Sequence, residues 1–395
     1  MKYAVVIIDG AADRPLPDHN GLTPLQIAHT PNLDRMAAEG QLGLTHTIPD
    51  GMEPGSAIGC MSVLGYDPRV YYSGRSTIEA CSLDVPMGPD DVVFRCNLVA
   101  IRHEKLWSYS AGHISTEEAD KIIQTLNEKL GNEKIRFFTG LNFRHILRIT
   151  GAPQTLKARC TPAHDITDKP IKGYLPSGEG SRLLNRLMKE SREILRKHPV
   201  NLRRIVTGGI PAHQIWLFWG SGRVPQMPSF KQAYGLEGAM TSGVDLLRGL
   251  ARMMGMQVLE IPGVTDNIDN DFAAQAEGAL KSLQKQYLAV IHVEAPDDAA
   301  HDGSLEKKVE ALEKIDREII GRLMQWNPDG LCIMVLPDHA TPLELKTHST
   351  EAVPFALWGS SFKPNGASGY SEKDAAAREL VVDPGYTLMH RFLHP

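Results

Sequence analysis

Cysteine is scarce in this chain, and its spacing excludes two kinds of stabilising site. The five cysteines are scattered over 395 residues, and no two of them form a C-x-x-C pair. This distribution is not that of a disulfide framework, nor that of a zinc site built from thiolates. We therefore expect a protein of a reducing compartment.

Membrane and nucleic-acid signals are also missing. No apolar run approaches the ~20 residues that a membrane-spanning helix needs, and no basic, apolar leader precedes the first predicted strand. The net charge of −5 argues against nucleic acid or an anionic membrane as the main partner. The G-x-x-x-x-G-K-[ST] motif of a P-loop is absent as well. We expect a soluble cytoplasmic protein with no nucleic-acid or membrane partner; a homo-oligomer stays open.

The order of predicted elements indicates an α/β core interrupted by an α+β insertion. Buried-type strands alternate with helices at the start of the chain and again from Ile215 onwards, whereas short β-like stretches surround one clear helix in between. We expect a core of residues 1–87 and 179–395, with a mostly parallel sheet flanked by helices, and an inserted domain of residues 88–178. Residues 41–85 are expected to be rich in loops.

Three apolar runs each lead to an acidic residue. The runs and their acids are Tyr3–Ile8 with Asp9, Tyr287–Val293 with Asp297, and Leu331–Leu336 with Asp338. Short runs of this kind indicate strands that are buried on both faces. Because open α/β sheets bind ligands outside the carboxyl ends of their strands, we expect the three acids to lie together at one edge.

Histidines accompany these acids, and together they predict a metal centre. His301 follows Asp297 at the spacing that puts both side chains on one face of a helix. His339 is adjacent to Asp338, and His348 follows shortly after. Carboxylate and imidazole ligands without thiolates suit Mn, Zn, Co or Mg. A lone residue of this kind is more often a solvated surface group, so the prediction depends on the whole set.

Ser56 is the candidate nucleophile. It follows the turn-rich segment Gly51–Gly55 and precedes a predicted helix start. A serine at such a place lies near free backbone N–H groups, which stabilise an anion. A metal-bound serine alkoxide can attack a phosphorus centre at neutral pH. The plainer alternative is that Ser56 only caps the helix.

Several further side chains are candidates for binding an anionic substrate, since arginine forms bidentate pairs with phosphate or carboxylate. They are Arg75, Arg144, His145, His164 and Asp165. Each of them alone is more often a surface charge. Trp219 is expected to belong to the core rather than to a stacking platform.

A series of short motifs runs through nearly the whole chain. Its members are Val5–Gly10, Thr23–Leu25, Thr30–Asp34, Pro54–Ser56, Leu64–Pro68, Tyr72–Arg75, Phe94–Asn97, His198–Asn201, Tyr234–Leu236, His292–Asp297, His301–Gly303, Pro337–His339 and Thr347–Ser349. The series resembles the archaeal-type cofactor-independent phosphoglycerate mutases of the alkaline phosphatase superfamily. The resemblance implies an alkaline-phosphatase-like core and an inserted cap that contributes substrate contacts.

The resemblance also implies a chemistry. By the family pattern two divalent ions bind, one held by Asp297, His301 and His348, and the other by Asp9, Ser56, Asp338 and His339. Ser56 would be phosphorylated in turnover. The reaction would interconvert 3-phosphoglycerate and 2-phosphoglycerate, a glycolytic step, without bisphosphoglycerate. His113 stands where archaeal members tend to carry arginine, and it joins the candidate substrate-binding residues.

The chain departs from the family pattern beside the serine, and two alternatives stay open. Family members usually carry an acidic residue and, three residues further on, an asparagine, where this chain has Ala57 and Cys60. A bacterial branch that is closer to this chain at His113 and Trp219 has been proposed to phosphorylate homoserine. A phosphotransferase acting on a small hydroxy compound is therefore one alternative, and a non-catalytic relative is the other.

Overall fold

The chain folds into two compact units. The computed structural model describes residues 1–222, 226–326 and 330–395. The first unit combines Met1–Tyr72 with Gln226–Pro395, and the second comprises Ser73–Pro225. The predicted α/β class, with a mostly parallel sheet and a separate α+β part, is confirmed.

A mixed, mostly parallel sheet forms the centre of the first unit. In the described part of the chain its strands, numbered in chain order and given in sheet order, are β13 (Val381–Val382), β2 (Gln41–Thr45), β12 (Val353–Trp358), β11 (Leu331–Leu336), β1 (Lys2–Ile8), β10 (Leu288–Val293), β8 (Gly238–Thr241) and β9 (Gln257–Val258). Strand β1 pairs in parallel with β10 on one side and β11 on the other. Both neighbours are buried along their full length, as the apolar runs predict.

Helices pack against this sheet. One apolar core joins side chains of β1, β10 and β11 to the buried faces of three helices, α2 (Pro31–Glu39), α11 (Phe272–Leu283) and α13 (Leu305–Ile315). The helices of the first unit are α1 (Pro24–Ile27), α2 (Pro31–Glu39), α3 (Ser56–Val63), α4 (Pro68–Tyr71), α9 (Phe230–Tyr234), α10 (Asp245–Met253), α11 (Phe272–Leu283), α12 (Ala295–Asp302), α13 (Leu305–Ile315), α14 (Gly321–Gln325), α15 (Glu372–Ala376) and α16 (Leu388–Leu393).

Helix α2 begins at Pro31, and the distant side chain of Asp316 satisfies two of its first N–H groups, those of Asn32 and Leu33. Thr30 stands at the N-cap and makes no side-chain hydrogen bond there. Instead, the carboxylate of Asp316 accepts from the backbone N–H of Leu33 at 2.7 Å. Asp316 opens the π-helical turn Asp316–Ile320, which separates α13 from α14.

The second unit is built on an antiparallel sheet. Strand β3 is central and pairs with β4, β6 and β7. Within the described residues its strands are β3 (Asp91–Arg102), β4 (Lys105–Ser108), β5 (Ile135–Phe138), β6 (Arg144–Thr150) and β7 (Gln214–Ser221), and its helices are α5 (Arg75–Ser82), α6 (Thr116–Leu130), α7 (Ser181–Leu195) and α8 (Pro199–Val206). No helix in the described ranges has the length and apolar composition that crossing a bilayer requires.

The second unit extends beyond the insertion expected at residues 88–178. Strand β7 pairs with β3, and α7 packs on β7, so both lie in the second unit although they were expected in the core. Helix α5 packs on the same sheet from the other end of the segment. These pairings join residues far apart in sequence, so local sequence patterns do not reveal them.

Residues 41–85 hold more regular structure than the expected loops, since β2, α3, α4 and α5 lie there. Helix α3 is buried at every residue after Ser56. A helix that is buried on all sides shows no alternation of apolar and polar residues. The spacing of apolar residues in the sequence therefore does not predict α3.

Candidate functional site

The carboxyl ends of β1, β10 and β11 meet at one edge of the sheet, and the three predicted acids gather there. Asp9 directly follows β1, and Asp338 lies just beyond β11. Asp297 lies in the first turn of α12, which follows β10. All three carboxylates are buried. Parallel pairing of the central strand with both neighbours thus assembles residues from three distant parts of the chain.

Buried oxygen atoms without hydrogen-bond partners indicate a cation site at this edge. Asp9 Oδ1, Asp338 Oδ1 and Glu294 Oε2 are such atoms among the described residues. Burial, together with the charge of Asp338, raises the pKa of Asp9 well above its usual range. Burial also raises the pKa of Glu294 to about 7. A buried carboxylate cluster needs a compensating positive charge, and its oxygen ligands suit a divalent cation.

Two of the predicted histidine ligands are oriented by backbone carbonyls. His301 Nδ1 lies 3.0 Å from the carbonyl oxygen of Lys346, and His348 Nδ1 lies 3.3 Å from that of Pro54. Because a carbonyl only accepts, each imidazole carries its proton on Nδ1 and directs Nε2 into the site. The two Nε2 atoms are 3.0 Å apart, and His301 Nε2 is 3.1 Å from Asp297 Oδ2. The hydrogen bond to Asp297 raises the pKa of His301 to about 9.

The predicted nucleophile lies beside the third histidine. Ser56 opens α3, and its Oγ is 3.5 Å from His339 Nε2. The same Nε2 atom is 3.5 Å from Asp9 Oδ1 and 3.5 Å from Asp338 Oδ2. Helix α3 approaches this closely because Gly59 has no side chain; a Cβ there would lie 2.3 Å from the backbone oxygen of Asp338. The serine hydroxyl therefore belongs to the same cluster as the buried carboxylates.

The predicted ligands form two groups that share His339. The groups are Asp9, Asp338 and His339, and Asp297, His339 and His348, with ligand atoms within 4.8 Å of one another in each. His301 joins the second group through its contacts with Asp297 and His348. The structure thus brings all the predicted metal-binding side chains together, and their division between two ions stays a prediction.

Three residues of this edge, His292, Glu294 and Cys60, escaped the sequence prediction. His292 Nε2 lies 2.8 Å from Asp9 Oδ2 and orients that carboxylate. Cys60 donates its thiol to Asp338 Oδ2 at 3.5 Å. His292 had a usable signal, because it is a polar residue inside an otherwise apolar strand. Cys60 had none beyond its departure from the family pattern.

The second unit carries arginines around one buried carboxylate. Glu79, in α5, forms an ion pair with the buried Arg95 and another with Arg75, where Nε and Oε1 are 3.0 Å apart. Burial alone would raise the pKa of Glu79, but the two guanidinium groups lower it. The ring of Trp219 lies 4.4 Å from Arg75 Cζ and 5.9 Å from Arg95 Cζ, within the range of cation–π attraction.

Trp219 is a stacking surface as well as a core residue. It packs partly against the core of the second unit, as predicted, but its ring also lies against the arginines. Its φ of 51° is unusual for a bulky residue, and the pairing of β7 with β3 shifts register at this point. Backbone strain of this kind is often stored at functional sites.

Two other predicted substrate-binding residues join these arginines. Partial burial lowers the pKa of His164, the charge of Asp165 opposes this, and the charges of Arg75, Arg95 and Arg144 lower it further. The ring of His164 lies 5.6 Å from that of Trp219. We call Arg75, Arg95, Arg144 and His164, with Glu79 and Trp219, the basic cluster.

The remaining predicted substrate-binding residues lie apart from the basic cluster or at its margin. His145, in β6, pairs with Cys96, the residue that follows Arg95 in β3. Burial lowers the pKa of His145 to about 3. Asp165 is exposed, with Oδ1 3.6 Å from His164 Nε2. His113 donates its backbone N–H to Ser110, and its imidazole makes no hydrogen bond with the cluster among the described residues. Their predicted roles stay predictions.

Comparison with known proteins decides the family. Residues 37–201 match the family model described as 2,3-bisphosphoglycerate-independent phosphoglycerate mutase. The chain is 46% identical over 361 residues to the protein of that name from Methanosarcina barkeri, covering 91% of this chain and 90% of the relative. This chain belongs to the 2,3-bisphosphoglycerate-independent phosphoglycerate mutase family. A probable member from Geobacter sulfurreducens is 40% identical over 400 residues, with 100% of both chains covered.

Solved structures agree with this assignment. A protein of Pyrococcus horikoshii superposes with a TM-score of 0.83 at 26% identity, covering 100% of this chain and 97% of that one. The cofactor-independent phosphoglycerate mutase of Thermoplasma acidophilum superposes with a TM-score of 0.69 at 25% identity, covering 100% and 99%. The resemblance drawn from the motifs is confirmed.

Proposed function

We propose that this protein interconverts 3-phosphoglycerate and 2-phosphoglycerate without bisphosphoglycerate, and that the phosphoryl group passes through Ser56. Family membership supports the reaction. The observation that carries the chemistry is the position of Ser56 Oγ next to His339, in a cluster where Asp9 and Asp338 each present an oxygen without a hydrogen-bond partner.

The donor set fits two divalent ions. One would be held by Asp9, Ser56, Asp338 and His339, and the other by Asp297, His301 and His348, with manganese the first candidate among Mn, Zn, Co and Mg. Bound there, such ions lower the pKa of a coordinated hydroxyl and neutralise charge on phosphoryl oxygens.

The protein's own groups account for the remaining steps. Ser56 Oγ bonds to phosphorus as the bond from phosphorus to the substrate's ester oxygen breaks, which leaves glycerate and a phosphoserine. The free N–H groups at the start of α3 stabilise the anionic phosphoryl group. Return of the phosphoryl group to the neighbouring hydroxyl of glycerate completes the isomerisation. Water must be excluded meanwhile, and the family pattern gives that role to the inserted unit.

The basic cluster is our proposed binding site for the charge of the substrate. The chain as a whole carries a net charge of −5, so attraction of an anionic phosphorylated hydroxy acid must come from a local set of positive groups. In the basic cluster two arginines, Arg75 and Arg95, pair with a single buried carboxylate, and Arg144 adds a third positive charge near His164, which leaves a positive excess. Glu79 holds Arg75 and Arg95 in place, and the ring of Trp219 lies within cation–π distance of both guanidinium groups.

Glu79→Gln tests this site. Glutamine keeps the shape of the side chain but loses the charge that positions both arginines, so we expect kcat/KM to fall about 10- to 100-fold, since small misplacements of binding groups have effects of that order. The fall should lie mainly in KM for 3-phosphoglycerate. The exposed Glu128, in α6, provides a matched control, and Glu128→Gln should leave both constants unchanged. A lower KM in Glu79→Gln would mean that the carboxylate opposes substrate binding and does not organise it.

The proposed reaction is tested by incubating the purified protein with 3-phosphoglycerate and Mn²⁺ in the absence of bisphosphoglycerate. We expect 2-phosphoglycerate to form, to disappear after chelation of divalent ions, and to return when Mn²⁺ is added back. Absence of 2-phosphoglycerate under all metal conditions would overturn the proposal. Incubation of the same preparation with homoserine and nucleoside triphosphates then tests the alternative phosphotransferase reaction.

A further inference from the structure

The hydroxyl of Thr341 lies between a predicted ligand of one ion and a predicted ligand of the other. Its Oγ1 is 2.6 Å from Asp297 Oδ1 and 3.2 Å from His339 Nδ1. All three residues are buried. Neither atom that contacts Thr341 is the one directed at the cluster, because Asp297 Oδ2 and His339 Nε2 make those contacts.

The single proton of this hydroxyl determines how the two contacts are made. An ionised carboxylate only accepts hydrogen bonds, so Thr341 donates to Asp297. The hydroxyl oxygen then accepts from His339, which places the imidazole proton on Nδ1 and leaves Nε2 free as a ligand atom. One side chain therefore orients the carboxylate and selects the tautomer of the histidine.

The position of Thr341 is itself tightly fixed. Lys308 Nζ donates to the carbonyl oxygen of Thr341 at 2.9 Å and to Asp13 Oδ2 at 2.8 Å. Gly10 packs against the other side with a φ of 59°, and a Cβ there would lie 2.4 Å from Asp297 Oδ1 and 2.7 Å from Thr341 Oγ1. The close approach of Gly10 therefore restricts the space on this side of the Thr341 hydroxyl.

We propose that Thr341 is a positioning residue shared by the two metal sites, so that loss of its hydroxyl weakens the binding of both ions. The proposal rests on the metal centre proposed above. Loss of a residue that orients a metal ligand through a hydrogen bond typically weakens metal affinity by about 10- to 100-fold. A group that serves only one ligand would affect one ion, whereas Thr341 contacts a ligand of each.

The test is titration of metal-free protein with Mn²⁺ against a competing fluorescent chelator. For Thr341→Val we expect both binding steps to weaken by about 10- to 100-fold, while the metal-free protein stays folded with a somewhat lower melting temperature, because the buried Asp297 loses a hydrogen-bond donor. Thr341→Ser keeps the hydroxyl and should bind both ions nearly normally. Thr241→Val is a matched control, because Thr241 is also buried in the first unit but its hydroxyl has no hydrogen-bond partner among the described residues.

The outcomes separate this inference from the proposed metal centre. Uptake of two ions by the wild type with equal affinity in Thr341→Val would overturn the inference alone. Weakening of a single binding step would overturn the shared role of Thr341. No uptake of ions by the wild type would remove the proposed metal centre, and the inference with it.

Discussion

Replacement of Ser56 by alanine is expected to abolish the formation of 2-phosphoglycerate. The change removes the only atom to which the phosphoryl group is proposed to bond, so we expect kcat to fall by about 10³-fold or more, as for other enzymes that lose a nucleophile. Stability should change little, because Ser56 is half-buried and the hydrogen bond of its hydroxyl to His339 is long, at 3.5 Å. The measurements are turnover, melting temperature and intact mass after incubation with substrate.

Ser62→Ala is the matched control for this experiment. Ser62 lies in the same helix and is buried, and its hydroxyl has no hydrogen-bond partner in the described structure. It should retain activity, and its intact mass should show the added phosphoryl group that Ser56→Ala lacks. Near-normal turnover by Ser56→Ala, or a phosphoryl group that persists in that variant, would place the nucleophile elsewhere.

Lys308→Met is expected to have the largest effect on stability. Lys308 Nζ and Asp13 Oδ2 form a fully buried ion pair at 2.8 Å. Methionine fills most of the space of the lysine but leaves the buried Asp13 without its partner, a change that typically destabilises by about 3–5 kcal/mol. Urea denaturation of the metal-free protein measures the loss, so that weaker metal binding does not contribute to it.

Two further variants test whether the loss of stability in Lys308→Met comes from the unpaired charge of Asp13. Lys314 lies in the same helix, where it forms a partly exposed pair with Glu310 at 2.8 Å, so Lys314→Met should lower stability by less than about 1 kcal/mol. Lys308→Met combined with Asp13→Leu removes both charges and should recover part of the loss. If Lys308→Met lowers the free energy of unfolding no more than Lys314→Met does, then water must solvate the Asp13 carboxylate in place of the lysine.

The edge of the sheet that carries the candidate metal ligands was predictable from the sequence because its signals are local. Asp9 and Asp338 end apolar runs that are too short for helices, and parallel strands bring such ends together. The i, i+4 spacing of Asp297 and His301 likewise follows from helix geometry, and α12 has it.

The rest of the site depends on contacts that no local pattern encodes. Thr341 and Lys308 are an ordinary loop threonine and an ordinary helix lysine until the fold buries them beside Asp297 and Asp13. Glu79 gains its importance from Arg95, a residue of another element. The boundary of the second unit was missed for the same reason, since it depends on the pairing of β7 with β3.

The central position of β1 in its sheet has a consequence for synthesis of the chain. Tyr3 of β1 pairs with Leu288 of β10 on one side and with Cys332 of β11 on the other. The apolar strand β1 is therefore synthesised well before either strand with which it pairs. Pairing over such sequence distances is slow and leaves strand edges exposed meanwhile. The second unit differs, because every strand of its described sheet is present once Ser221 has been made. During translation, all the strands of the unit that carries the basic cluster have thus been synthesised long before His339, the residue that Ser56 contacts in the folded protein.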